Sequence, residues 1–251
     1  MNEHTLQNEF QEIYQEMVDR NSRELETKGV KLDQEFNAQD QRKGIGIFAF
    51  YESTPSPEFV DMYQEAELLF PDQVLYSPLS YHPRAKRASF YVGQLHFTFF
   101  QVHFAVPLLP TSYTDRFDAY AESIAKGLFK LTPFQIDFHR LIAIPTGLLL
   151  AGTPTEDINA VRDQVRASLA ESSLQLQEPY KSDIAHSTFL RLANPVDPNS
   201  LLEFAKRHTN THFGSLQITK LQLGLGSWRM APSEISMKYE FDLQNKKLSQ
   251  M

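Results

Sequence analysis

Apolar side chains at Leu6, Phe10, Ile13, Tyr14, Met17, Val18 and Leu25 fall on one helical stripe across residues 3–27, with Glu and Gln on the remaining face. The spacing predicts an amphipathic helix that ends near Gly29, packed on its own chain or on a partner. From Gly44 the pattern shortens. Continuous apolar character in Gly44–Phe50 predicts a buried strand, and Ser56–Phe70 predicts a helix with Ser56 as its cap and Pro57 in its first turn. A polar stretch leads into one long strand, Ser89–Val106, followed by a helix over about Thr114–Leu131 and a strand from Phe134 to Pro145.

The same order then returns. Arg140–Pro145 opens it as a strand. Thr153–Ser172 predicts a helix with Glu156 and Asp157 in its first turn and Ile158, Val161, Val165 and Leu169 on one stripe. A strand at Ile184–Leu192, a short helix from Pro198 and two closing strands, Leu216–Gly226 and Glu234–Gln244, follow. Strand, helix, strand, helix, strand in each half implies an α+β fold of two related lobes, each mainly antiparallel sheet with flanking helices. By the repeat the lobes span roughly residues 44–138 and 139–251, after an N-terminal helical extension over residues 1–43. No GxGxxG or GxxxxGK loop follows any strand.

The third element of each half carries the same phrase: His96-Phe97-Thr98-Phe99 and His186-Ser187-Thr188-Phe189. Side chains two apart on a strand share a face, so each phrase projects one imidazole and one hydroxyl together. Eight histidines and fourteen threonines in 251 residues give by chance roughly half of one H-x-T triplet. Two, at matching places in a repeated pattern, point to chemistry. Two imidazoles and two hydroxyls across a cleft suit phosphoryl transfer without a metal. A neutral imidazole accepts a proton from the attacking group and a protonated one supplies the leaving oxygen. The hydroxyls donate to the non-bridging oxygens, where charge accumulates.

Composition narrows the substrate. A formal net charge of −7 argues against a partner of long nucleic acid, whose affinity rests on neutralising many phosphates. The absence of cysteine excludes disulfides, thiolate catalysis and cysteine-ligated metals. The first twenty residues are polar with no apolar core, unlike a secretory signal. The longest apolar run, Leu141–Gly152, is broken by Pro145 and Gly147 and is too short to span a bilayer. A soluble, cytoplasmic monomer with no membrane partner is expected. No H-E-x-x-H motif occurs and Asp183 is the only acidic residue beside either phrase, so neither metal nor other cofactor is expected.

Of the remaining histidines, His4 and His82 carry no pattern and the others read as structural: His103 falls on the face opposite His96, His139 shares a face with Asp137, and His208 and His212 follow a helix end. Candidate substrate contacts are Tyr180 and Lys181 before the second phrase, the basic cluster with Arg84 and Lys86 before the first, and Trp228 in the closing turn. An aromatic ring there stacks on a base and a cation meets a phosphate. For Tyr180 and Lys181 loop solvation is the equal alternative; for the basic cluster an exposed loop is the more common meaning, and a lone surface aromatic such as Trp228 usually has no role.

With its paired H-x-T-F phrases, the chain resembles the two-histidine phosphoesterase superfamily, which includes 2′,5′-RNA ligase-like proteins and cyclic phosphodiesterases, over roughly Gly44 to Leu243. The resemblance implies a bilobal fold with a pseudo-twofold axis and a central groove into which His96, Thr98, His186 and Thr188 face. The expected activity is hydrolysis of a 2′,3′-cyclic phosphate or related ribose phosphodiester on a small nucleotide or RNA end. The alternatives are an RNA-end ligase, a 2′,5′-phosphodiesterase, or a module that binds a phosphorylated ligand without turning it over.

Overall fold

Neither β-sheet belongs to one half of the chain. In the computed structural model, which describes residues 3–37, 39–81, 92–178, 180–230 and 232–251, each sheet takes strands from both. The first sheet holds β1 (Lys43–Phe50), β4 (His96–Val106), β9 (Lys220–Ser227), β10 (Ser236–Asp242) and β11 (Lys247–Gln250), in the order β11-β10-β9-β1-β4. The second holds β2 (Val74–Ser77), β3 (Val92–Gln94), β5 (Phe134–Ile144), β6 (Gly147–Pro154), β7 (Ala185–Arg191) and β8 (Gly214–Ile218), in the order β3-β2-β7-β6-β5-β8. The antiparallel run β4-β1-β9-β10 corresponds strand for strand to β7-β6-β5-β8. The edges are exchanged too: β2, from the first half, pairs with β7, and Gln177, from the second, bridges to His103 of β4. The fold is α+β and bilobal, with a pseudo-twofold relation.

The helices α2 (Pro57–Leu69), α3 (Thr111–Thr114), α4 (Phe117–Leu128), α5 (Ile158–Glu171) and α6 (Pro198–Arg207) flank the sheets. Ser56 Oγ accepts from Phe59 N at 3.1 Å and Asp157 Oδ1 from Ala160 N at 3.0 Å, satisfying first-turn amides that a helix leaves without partners. The predicted stripe of α5 is buried, and Arg162 is buried with it. The N-terminal helix, α1 (Glu3–Lys28), packs on its own chain: Leu6, Phe10, Tyr14 and Leu25 are buried in the core. Tyr14 reaches through to β6 and β7, where its hydroxyl lies 2.7 Å from both Gly152 O and Ala185 O and accepts from Ala185 N at 3.0 Å.

Apolar period misplaces five boundaries. Ser89–Val106 is not one strand: the chain leaves the second sheet at β3, passes Leu95 and enters the first at β4. Leu216–Gly226 likewise divides at Thr219 into β8 and β9, one in each sheet. The second half opens on β6, not on Arg140–Pro145, which ends β5; helix α5 therefore starts at Ile158 rather than Thr153. The hairpin between β5 and β6 turns at Gly147, whose φ of 151° and 2.0 Å approach of a would-be Cβ to Leu190 O both require glycine. The predicted helix over Thr114–Leu131 is α4, Phe117–Leu128, with the separate turn α3 ahead of it. At the turn between β5 and β6 the cause is plain: β6 is buried on both faces and carries no alternation from which to read a turn.

Candidate active site

The four signature residues meet. Thr98 and His96 on β4, and Thr188 and His186 on β7, line one cleft of about 300 Å³ between the sheets. Both strands depart from strict alternation at the same point. On β4 the pairing with β1 steps from Phe48–Thr98 to Ile47–Phe100, leaving Phe99 as the extra residue. On β7 the pairing with β6 steps from Leu149–Thr188 to Leu148–Leu190, leaving Phe189 extra. The phenylalanine of each phrase is thus the bulged residue, and a bulge reverses which face the following side chains take. Five positions after each histidine, Gln101 and Arg191 are thereby turned onto the histidine face and line the cleft.

Arg191 is held in place from several sides. Its guanidinium lies 4.3 Å from the Phe36 ring centroid and 5.9 Å from that of Trp228, and its Nη2 is 3.3 Å from Asp33 Oδ2. It also hydrogen-bonds Tyr76, another cleft residue, whose hydroxyl donates to Trp228 O at 3.1 Å. A fixed guanidinium on the imidazole face of the cleft is suited to a phosphoryl oxygen. Sequence reasoning missed it because alternation assigns Arg191 to the opposite face, and the bulge that corrects this has no residue signature of its own.

The two imidazoles have different surroundings. His96 Nδ1 lies 2.7 Å from Gln94 O, a partner that can only accept, so Nδ1 carries the proton and Nε2 presents its lone pair. The matching carbonyl for His186 is Ile184 O, and Arg162 Nη2 donates to it at 3.0 Å. His186 Nδ1 is buried without a hydrogen-bond partner among the described residues. Arg162 also donates from Nε to Phe99 O at 2.7 Å and from Nη1 to Asn159 Oδ1 at 2.8 Å, so one buried guanidinium ties β4 to β7. Burial pushes this guanidinium down to about 10. Both histidines are lowered to about 4: His96 by burial, against the Gln94 carbonyl, and His186 by burial, the Arg162 charge and His96.

The other candidates divide. Trp228 lines the cleft, edge-on to Phe36 with ring centroids 4.1 Å apart. Tyr180 lines the cleft and is exposed. Lys181 does not line it; its ammonium pairs with Asp163 at 2.9 Å. Arg84 and Lys86 lie outside the described residues. His103 is buried, with its Nδ1 2.6 Å from Phe104 O. His139 bonds the Asp137 carbonyl rather than its carboxylate, which pairs instead with His212 Nε2 at 2.6 Å. His208 turns to Glu65 at 3.1 Å rather than simply complementing its helix end. Among the described residues no three His, Cys, Asp or Glu side chains are grouped to hold a metal, and no helix is long and apolar enough to cross a membrane.

No family model matches the sequence, and no curated protein is significantly similar to it. Solved structures are. The apo crystal structure of E. coli LigT has 12% identity and a TM-score of 0.38, covering 84% of this chain and 96% of that one. A crystal structure described as a phosphoesterase has 14% identity and a TM-score of 0.38, covering 84% of this chain and 99% of its own. E. coli LigT complexed with 3′-AMP shows 12% identity at the same TM-score, over 84% and 99% of the two chains.

Proposed function

We propose that this chain is a phosphodiesterase of the two-histidine kind, opening a 2′,3′-cyclic phosphate or a related ribose phosphodiester on a small nucleotide or RNA end. The observation that carries this reading is the convergence of two imidazoles and two threonines from corresponding strands, with the two Nδ1 atoms in unlike settings. His96 suits the base: Nε2 takes a proton from water as the water oxygen bonds to phosphorus, and the imidazolium so formed already donates Nδ1–H to Gln94 O. His186 suits the acid: it passes a proton to the ribose oxygen as the bond from phosphorus to that oxygen breaks. Arg162 disfavours a resting charge on His186, so its protonated form depends on the bound phosphate anion and gives up its proton readily. In this reading Thr98, Thr188 and Arg191, which line the same cleft, donate to the non-bridging oxygens. Exchange of one proton with solvent restores the starting state.

The test is turnover by EDTA-treated protein of 2′,3′-cyclic nucleotides and 2′,5′-linked dinucleotides, beside His96→Ala and His186→Ala. Loss of about 10²–10⁴-fold in kcat for each variant, with unchanged circular dichroism, is expected. Full activity in either variant removes the assignment. Tight binding of the same compounds without turnover by the wild type makes the cleft a binding module.

A further inference from the structure

The residue before each histidine is held at both of its backbone groups, but by different parts of the molecule. Leu95, before His96, donates from N to Ser77 O at 2.8 Å, and its carbonyl accepts from Tyr51 N at 3.4 Å. Both partners are main-chain groups of the first half. Ala185, before His186, turns both groups to one side chain: its N–H donates to the Tyr14 hydroxyl at 3.0 Å, and its carbonyl lies 2.7 Å from the same oxygen. Gly152 O, opposite Ala185 in the β6–β7 pairing, is also 2.7 Å from it. Tyr14 is fully buried, and burial pushes its phenol up, so the hydroxyl keeps its proton and both donates and accepts. Helix α1 thus supplies to the second histidine what the first receives from its own strands.

The far end of the same strand is held by the segment that follows α1. Arg191, the last residue of β7, has its guanidinium 4.3 Å from the Phe36 ring centroid and its Nη2 3.3 Å from Asp33 Oδ2. Asp33 is itself fixed: Oδ2 accepts from Arg42 Nη2 at 2.6 Å and Oδ1 from Glu35 N at 3.1 Å. Lys31 N donates to Pro145 O at 2.8 Å, anchoring the segment to the β5–β6 turn. Both ends of β7 are therefore set by residues that precede the repeated halves. Misplacing a reacting group by about 1 Å can cost about 10²-fold in rate, so whatever fixes this strand bears on the reaction. We infer that Tyr14, Asp33 and Phe36 are positioning residues of the active site, Tyr14 aligning His186 while Asp33 and Phe36 hold Arg191 toward the phosphate. This rests on the proposed phosphodiesterase reading and deepens it: the N-terminal extension is a working part of the site.

Two substitutions in the full chain test this. Tyr14→Phe keeps the buried ring and removes the hydroxyl; Phe36→Leu keeps an apolar side chain and removes the ring beside Arg191. Tyr14→Phe should lower kcat for 2′,3′-cyclic AMP at least about ten-fold, with KM within about two-fold of the wild type. Its His186 signal in ring-carbon NMR should shift or broaden while that of His96 stays in place. Phe36→Leu should do the reverse, leaving His186 unmoved and weakening inorganic phosphate, measured by calorimetry, at least about three-fold. A general loosening of the fold moves both readouts in both variants, which the crossed pattern excludes. An unmoved His186 signal in folded Tyr14→Phe, or phosphate bound equally by Phe36→Leu and the wild type, overturns the inference. Either arm decides alone, so one variant that fails to fold leaves the other in force. Full activity in His96→Ala or His186→Ala defeats the phosphodiesterase reading, whereas inactive histidine variants beside an unmoved His186 signal defeat this inference only.

Discussion

At the scale of single residues, the informative contrast is between two histidines with one sequence context and two environments. Both are neutral near pH 7 in the free protein, because burial lowers each to about 4. Catalysis as proposed needs one ring charged and one neutral, a state whose population rises as pH falls from 7 towards 4. The kcat/KM profile, which reports the free enzyme, should therefore climb on acidification and peak below pH 6.5. A bound phosphodiester anion favours imidazolium, so the kcat profile should peak at higher pH than that of kcat/KM. Rates measured across pH 4–8 decide this; a kcat/KM optimum at or above pH 7 contradicts it. Arg191 makes a separate prediction. Charge-assisted hydrogen bonds to an anion contribute about 1.5–3 kcal/mol, so Arg191→Ala should raise KM, or the inhibition constant of inorganic phosphate, by roughly 10–100-fold. Equal inhibition of the variant and the wild type rules out a phosphate contact.

At the scale of elements, the two phrases were legible and their continuation was not. Alternation correctly joined His96 to Thr98 and His186 to Thr188 on one face. Beyond Thr98 and Thr188 the bulges at Phe99 and Phe189 reverse the faces, which is why Gln101 and Arg191 escaped notice. Arg162 was hidden differently. It sits in a helical stripe of Ile158, Val161, Val165 and Leu169, where an arginine reads as the start of the polar face, yet its chemistry is set by strand carbonyls remote in sequence. Replacing it tests whether a buried brace between β4 and β7 also tunes the acid. Arg162→Met leaves Phe99 O and Ile184 O without their donor, at a cost of about 1–3 kcal/mol, or a fall in Tm of several degrees. It also removes the charge beside His186 and frees Ile184 O to accept from its Nδ1, so the His186 pKa should rise. Ring-carbon NMR titration reads that shift, and an unmoved His186 reduces Arg162 to a structural brace alone.

At the scale of the whole molecule, the repeated order of elements was enough to anticipate two related antiparallel lobes, and it concealed how they are joined. The chain changes sheets at Leu95 and again at Thr219, inside segments whose pattern reads as one continuous strand. Strand partners are chosen by tertiary packing, which local period does not encode. One consequence of that interleaving is global. Both histidines stand where the two sheets meet, and folding withholds protons from them that the unfolded chain accepts near pH 6.5. A lowered histidine pKa means that the unfolded state binds more protons between about 4 and 6.5, so stability is full above pH 6.5 and declines as pH falls through this window. The slope is at most about 1.4 kcal/mol per pH unit for each histidine, and less to the extent that the rings meet solvent in the cleft. The lowered carboxylates Asp33, Glu65 and Asp163 act in the same direction, but only once pH approaches their unfolded values near 4. The interval from pH 6.5 to 5 therefore isolates the imidazoles. Urea unfolding of the wild type should show stability falling across that interval, and the double variant His96→Asn with His186→Asn should show a shallower decline. Identical slopes in the two proteins mean that the histidines titrate in the fold as they do in the open chain, and the acid-shifted activity profile falls with them.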